Sequence, residues 1–345
     1  MQASAGARAG FTDAAYREAG AKVVNDRLEL LSDSDITVVV RRPAIADLET
    51  LKAGSILIGL LDPGGDPAPV RALLERQVTA FRMEALPRIS RAQDMDVLSS
   101  MATLAGYHAA VMAAYRLPRI FPLLMTAAGT LTPARVLVLG AGVAGLQAIA
   151  TCRRLGAVVE AYDVRPAVRE QVQSLGARFV DVGIEGEEQQ DASGYAKELA
   201  ADAQQREQEV LAGHIRESDV VITTAFVPGK PAPLLITKDV VEAMRHGSVI
   251  VDLAASAGGN CELTQADYEV SHAGVTILGP TNLPAAIPGQ ASQLFSHNVT
   301  RFIQQFIKDG KVVLDFDDPV IAQTCMTHAG TPVGEQMSSL ATVTS

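Results

Sequence analysis

Short apolar runs alternate with longer mixed stretches from residue 36 onward. Ile36–Val40, Ser55–Leu60 and Val78–Met83 each have the length and composition of a buried strand, and helical stretches and Gly/Pro turns such as Asp62-Pro63-Gly64-Gly65 separate them. This β/α alternation predicts a parallel sheet. Residues 1–35 are rich in Ala, Gly and Asp and offer a helix over Asp13–Ala19 but no strong strand. A long helical stretch follows over about Gln93–Tyr115. Its first half is polar (Arg91, Gln93, Asp94, Asp96) and its second half Ala-rich, as suits a connection between domains.

A second, clearer series starts at the buried strand Val136–Leu139. A helix over Gly142–Leu155 is closed by Gly156, and a strand over Val158–Tyr162 ends at Asp163. The next helix, Pro166–Leu175, has proline in its opening turn. Arg178–Val180, Val220–Thr224, Val249–Val251 and Val275–Leu278 complete six strands, with a polar insertion over Gly183–Glu217 that contains Gly194-Tyr195. Six strands alternating with helices predict a doubly wound sheet. Near the end, Ala291, Leu294, Phe295, Asn298, Val299, Phe302, Ile303 and Phe306 recur at helical spacing, which predicts an amphipathic helix returning to pack on the first domain. The expected fold class is α/β: two Rossmann-like domains with parallel sheets, the first from residues 1–100 plus 288–345 and the second from 101–287.

Composition narrows the chemistry. Of 345 residues, 48% are apolar, enough to fill two cores. Aromatics at 4%, no Trp and a net charge of -10 argue against nucleic-acid binding. Cys152, Cys261 and Cys325 are scattered and form no CxxC, so they read as reduced, apolar fillers. The six histidines show no ligand spacing, so no metal is expected. No apolar run reaches the ~20 residues of a membrane span. The most apolar region, His108–Gly129, is interrupted by Arg116, Pro118, Arg119 and Pro122.

Gly140-Ala141-Gly142-Val143-Ala144-Gly145 matches GxGxxG. Alone that is weak, but here it follows a strand, opens a helix, and is followed by Asp163 at the end of the next strand, 18 residues beyond Gly145. Gly140 permits the tight turn, Gly142 lets a pyrophosphate approach the backbone, and Gly145 lets helix and strand pack closely. The helix N-terminus offers N–H groups and partial positive charge to the anion. Asp163 suits ribose hydroxyls, which favours NAD(H) over NADP(H), although Arg165, after Val164, has the chemistry to serve a phosphate.

Two further loops carry candidate chemistry. Arg88-Ile89-Ser90-Arg91-Ala92-Gln93-Asp94-Met95-Asp96 is dense in polar groups, and its plain reading is a helix start with Ser90 as N-cap and Gln93 completing a capping box. Phe226–Pro233 holds three prolines and follows Thr224-Ala225, while Asp252-Leu253-Ala254 ends the fifth strand before Gly258-Gly259-Asn260. Both lie at the carboxyl edge of the sheet, where ligands bind. For Asp252, an N-cap or turn role and ligand contact are both open.

Together these segments resemble the NAD(H)-binding alpha subunit, or domain I, of proton-translocating NAD(P)+ transhydrogenase, a family related to alanine dehydrogenase. The matching segments include PRISRAQDMDVLSS (Pro87–Ser100), MTAAGTLTPARVLVLGAGVAGLQAIAT (Met125–Thr151), LGAVVEAYDVRP (Leu155–Pro166), VITTAFVPGKPAPLLIT (Val221–Thr237) and GSVIVDLAASAGGNCE (Gly247–Glu262), and the likeness covers about residues 36–330. The resemblance implies that the Arg88–Asp96 loop reaches the NAD cleft, that Arg88, Asp96 and Ser99 orient the nicotinamide, and that Gln93 reaches toward a partner's NADP(H). It implies that Gly194-Tyr195 lies in a mobile loop closing over the nucleotide, with Phe226 and Leu253 packed nearby. It further implies direct hydride transfer from NADH here to NADP+ on a separate subunit, coupled to proton translocation by a membrane-spanning subunit. By the same resemblance the chain forms a homodimer that docks on the cytoplasmic face of the inner membrane by protein contacts.

The chain also departs from that family. The family normally begins with a strand rich in Arg and Glu and then a helix, whereas this chain starts at the following Gly/Ala-rich stretch. The first domain is therefore expected to lack its N-terminal βα unit of ~35 residues, which would uncover a strand edge. The related alanine dehydrogenases use a Lys and a His in the first domain. Ile36–Val40 holds no Lys, Ile56–Leu60 no His, and the first His is His108. That disfavours the alternative of a stand-alone alanine-dehydrogenase-like enzyme, while a truncated, non-catalytic NAD-binding protein is a further alternative.

Overall fold

The computed structural model describes residues 1–182, 201–226 and 230–342, with the stretch 201–207 described by its backbone alone. Gly194 and Tyr195, and the Val227-Pro228-Gly229 portion of the proline loop, lie outside the described residues. The chain divides into two units, Met1–Met101 with Ile287–Ser345, and Ala102–Ala286.

In the first unit the apolar runs become parallel strands β1 (Ile36–Arg41), β2 (Ile56–Leu60) and β3 (Thr79–Arg82). The helix Val97–Arg116 then carries the chain into the second unit. There the strands are β4 (Arg135–Leu139), β5 (Val158–Tyr162), β6 (Arg178–Phe179), β7 (Val220–Thr223), β8 (Val249–Asp252), β9 (Glu269–His272) and β10 (Val275–Leu278). The chain returns to the first unit through the helix Pro288–Ile303 and ends with β11 (Cys325–His328), β12 (Thr331–Pro332) and the helix Glu335–Thr342.

The first sheet runs β1-β2-β3-β11-β12, and its last two strands are antiparallel, an addition that the apolar pattern did not announce. β1 stands at the edge with Val38 and Val40 exposed. The returning helix buries Asn298, Val299 and Phe302 in this unit. Phe302 and Phe306 meet Phe81 of β3 with ring centroids 5.3–5.7 Å apart. All three rings are fully buried, each contributing about 2–3 kcal/mol by transfer from water.

The second sheet runs β9-β10-β8-β7-β4-β5-β6, parallel throughout except for the β9 hairpin strand. β4 lies between β5 and β7, so successive crossovers leave it in opposite directions. Such a switch point opens a crevice beyond the carboxyl ends of β4 and β7. Apolar layers cover both faces: Ala109, Ala113, Ala148, Ile149 and Val172 on one, and Leu211, Ile215, Val241 and Met244 on the other.

Two expectations change. The polar insertion contains the helix Ala201–Glu217, whose Leu211 and Ile215, four residues apart, reach the core. The helix Val97–Arg116, 20 residues with a mean hydropathy of 1.3, is long and apolar enough to cross a membrane, which the interrupted run His108–Gly129 did not suggest. Its Ala109, Ala110 and Ala113 are packed in the core of the second unit.

Candidate functional site

The glycine-rich turn sits where β4 ends and the helix Val143–Arg154 begins, at the switch point. Each glycine meets a definite geometric constraint. Gly140 has φ +96°, and a Cβ there would lie 2.5 Å from Thr224 Oγ1. A Cβ on Gly145 would lie 1.9 Å from the Gly140 carbonyl oxygen. At Gly142 the only atom within reach is Arg165 Nη2 at 4.0 Å, so this position opens into space. Gly142 is the N-cap, and no side chain caps the helix. Its first N–H groups, at Val143 and Ala144, are therefore left to an incoming anion. This is a cradle that a Cβ would fill, and it fits a dinucleotide pyrophosphate.

Neighbouring groups hold the turn. Thr224 Oγ1 donates to the Gly140 carbonyl at 3.0 Å, tying the end of β7 to the turn. Ala141 N–H donates to Asp163 Oδ2 at 2.8 Å. Asp163 is nearly buried, and Arg165 forms a double ion pair with it through Nε at 2.9 Å and Nη2 at 2.8 Å. The pairing raises the Arg165 guanidinium above its ordinary range. Val164 packs partly buried against the core. The helix Val97–Arg116 also touches the turn: a Cβ on Gly106 would lie 2.0 Å from the Ala144 carbonyl oxygen. The sequence pattern did not single out Gly106, because its need for a small residue arises only from that crossing.

Asp252 is not available to a ligand. It is fully buried, and its carboxylate accepts from Thr223 Oγ1, Ala254 N, Asn260 N, Cys261 N and Thr264 Oγ1 at 2.7–3.1 Å. Of its two open roles, turn organisation is the observed one. Asn260, also fully buried, extends the network: its Oδ1 accepts from Ala225 N, and its Nδ2 donates to the Ala225 and Pro233 carbonyls. Asn260 thus fixes the two ends of the proline loop, a role the sequence did not signal. Phe226 is exposed beside it, and Leu253 packs partly against the core.

In the first unit, Ser90–Met95 is a 3-10 helix anchored by buried Ala92 and Met95. The capping box expected at Ser90 and Gln93 does not form, because Ile89 occupies the N-cap without a side-chain bond. The cap lies one turn later. Asp96 accepts from Ser99 N at 2.9 Å and from Ser99 Oγ at 2.5 Å, opening the helix Val97–Arg116. Arg91 pairs with Asp318, the N-cap of the helix Pro319–Thr324, with Nη1 at 3.0 Å from Oδ2. The guanidinium holds the Asp318 carboxyl below the usual range. Asn298 Nδ2 donates to the Asp94 carbonyl at 2.8 Å. These contacts fix the loop's frame, while Arg88, Ile89, Ser90 and Gln93 remain exposed along it.

All three cysteines are free and buried. Burial pushes the thiols up to about 12 at Cys152 and Cys325 and about 11 at Cys261. Among the described residues no group of His, Cys, Asp and Glu has the spacing to hold a metal.

A parallel sheet with a glycine cradle at its switch point and an acid closing the second strand defines a dinucleotide-binding fold of the dehydrogenase class. The chain belongs to the alanine dehydrogenase/PNT family, whose N-terminal domain matches residues 1–105 and whose C-terminal domain matches residues 109–335. It is 45% identical over 338 residues to an NAD(P) transhydrogenase subunit alpha of Rhodospirillum rubrum, a match that covers 96% of this chain and 88% of that protein. The crystal structure of transhydrogenase from Sinorhizobium meliloti superposes with a TM-score of 0.83 at 40% identity, covering 96% of this chain and 88% of that one. Alanine dehydrogenase of Mycobacterium tuberculosis is more distant, 27% identical over 98% of this chain and 87% of its own length.

Proposed function

We propose that this chain is the NAD(H)-binding component of a proton-translocating NAD(P) transhydrogenase. The observation that carries the reading is the 45% identity across 96% of the chain to an NAD(P) transhydrogenase alpha subunit, and the open cradle at Gly142 supports it.

In this reading the turn Gly140–Gly145 holds the pyrophosphate, with Val143 and Ala144 presenting backbone N–H groups. Asp163, with Val164 and Arg165 beside it, takes the adenosine ribose. Thr224, Ala225, Phe226 and Leu253 line the nucleotide further along the sheet edge. The family pattern gives the nicotinamide to Arg88, Asp96 and Ser99, with Gln93 directed toward the NADP(H) of the partner, and it gives loop closure to Gly194 and Tyr195. Ile89, Ser90, Arg91, Asp94 and Met95 belong to the same loop and set its shape. Bound NADH supplies the hydride, so the chain needs no nucleophile and acts by positioning.

The NADP(H) site and the membrane-spanning proton path belong to partner subunits, which hold this chain at the cytoplasmic face of the inner membrane. Homodimer formation has a candidate surface in the hairpin of strands Leu124–Thr126 and Gly129–Leu131, where Leu123, Leu124, Met125 and Leu131 are exposed.

The test is to mix the purified chain with the NADP(H)-binding component of a transhydrogenase and follow hydride transfer from NADH to an NADP+ analogue. Transfer is expected only when both proteins are present. NADH binding with no transfer would contradict the transhydrogenase assignment, and NADH production from NAD+ and an amino acid alone would replace it with a dehydrogenase.

A further inference from the structure

Given the NAD(H) reading, the choice of dinucleotide turns on one ion pair at the edge of the cradle. Both oxygens of Asp163 are already occupied within the chain. Oδ1 accepts from Arg165 backbone N–H and Arg165 Nε, each at 2.9 Å. Oδ2 accepts from Ala141 N–H and Arg165 Nη2, each at 2.8 Å. Four donors use the four acceptor positions of a carboxylate. The Arg165 side chain is 17% exposed, and its Nη2 lies 4.0 Å from where a Cβ on Gly142 would stand. A guanidinium therefore waits beside the phosphate cradle, held there by the acid expected to receive the ribose.

The pair is neutral as a unit. A ribose 2′-hydroxyl can exchange with one guanidinium hydrogen bond at little cost. A 2′-phosphate meets the Asp163 charge and finds the guanidinium already engaged. Yet a planar, always-charged fork is the group best suited to a phosphate. We propose that Arg165 is a latent 2′-phosphate ligand that Asp163 keeps out of use, so that one carboxylate sets the choice of NAD(H) over NADP(H) and one substitution reverses it. If Asp163 instead acted by simple repulsion, its removal would admit NADPH whether or not Arg165 were present.

The experiment compares wild type, Asp163→Asn, Asp163→Ser, Arg165→Ala and the double variant Asp163→Asn/Arg165→Ala by titration with NADH and NADPH, read from nicotinamide fluorescence. Asn retains an oxygen for Ala141 N–H, so the turn keeps its support, and a gain of binding is a signal no misfolded variant gives. Wild type is expected to bind NADH and to bind NADPH weakly. Asp163→Asn and Asp163→Ser should tighten NADPH by about tenfold or more, the scale of one charge-assisted hydrogen bond. Arg165→Ala alone should gain no NADPH affinity, and in the double variant it should cancel the gain. Wild type that binds NADH, with both Asp163 variants no better for NADPH, would overturn the inference, as would a gain that survives in the double variant. Wild type that binds neither dinucleotide would overturn the NAD(H) reading itself.

Discussion

At the scale of single residues, the buried acids separate into two kinds. Asp163 borders the cradle and is shared between a turn and an arginine, whereas Asp252 is an organiser closed to solvent. Removing the Asp252 carboxylate leaves the N–H groups of Ala254, Asn260 and Cys261 and two threonine hydroxyls without their acceptor. Asp252→Ala is therefore expected to destabilise the protein by about 3 kcal/mol or more, read as a lower urea midpoint. A midpoint equal to that of wild type would contradict the role assigned to it. The glycine turn was legible in the sequence because its logic is local: three glycines, a strand before and a helix after. The roles of Asp252, Asn260 and Arg165 were not. They depend on donors supplied by other loops, and a carboxylate at a strand end reads the same whether it meets a ligand or a neighbouring turn.

At the scale of elements, the apolar pattern located the parallel strands of both sheets within a residue or two. It failed where apolar content was sparse or alternation was short. The helix Ala201–Glu217 rests its core contact largely on Leu211 and Ile215 within a charged stretch, and β11 and β12 are brief antiparallel additions. The cap of the long helix was also hidden: Ser90 and Gln93 fit a capping box by spacing, but Asp96 and Ser99 form the bonded cap. Two helical glycines now predict opposite outcomes. Glycine to alanine favours a helix by up to about 1 kcal/mol when nothing obstructs the new methyl. Gly213 is exposed with no atom within 4 Å of its added Cβ, so Gly213→Ala should raise the melting temperature. At Gly106 the new Cβ would fall 2.0 Å from a backbone oxygen, so the helices must part. Overpacking of roughly 1–3 kcal/mol then outweighs the propensity gain, and Gly106→Ala should lower the melting temperature. Stabilisation by the Gly106 change would show that the crossing is looser than described.

At the scale of the whole molecule, the family membership covers both units, through residues 1–105 and 109–335. The fingerprint alone specified a dinucleotide enzyme; the segment Pro87–Ser100 and the loop following β7 narrowed it to a transhydrogenase-like chain. The central claim is that the cradle at Gly142 receives the dinucleotide, and substitution there separates binding from folding. Gly142 has φ -74° and open space around its Cβ position, so valine fits the free protein. Its branches would occupy the volume the phosphates need. The most direct measurement is an NADH fluorescence titration of wild type and Gly142→Val, with thermal melts of both. Saturable NADH binding by wild type, lost in Gly142→Val with an unchanged melt, is the predicted result. No saturable binding by wild type, or equal binding by the variant, would contradict it.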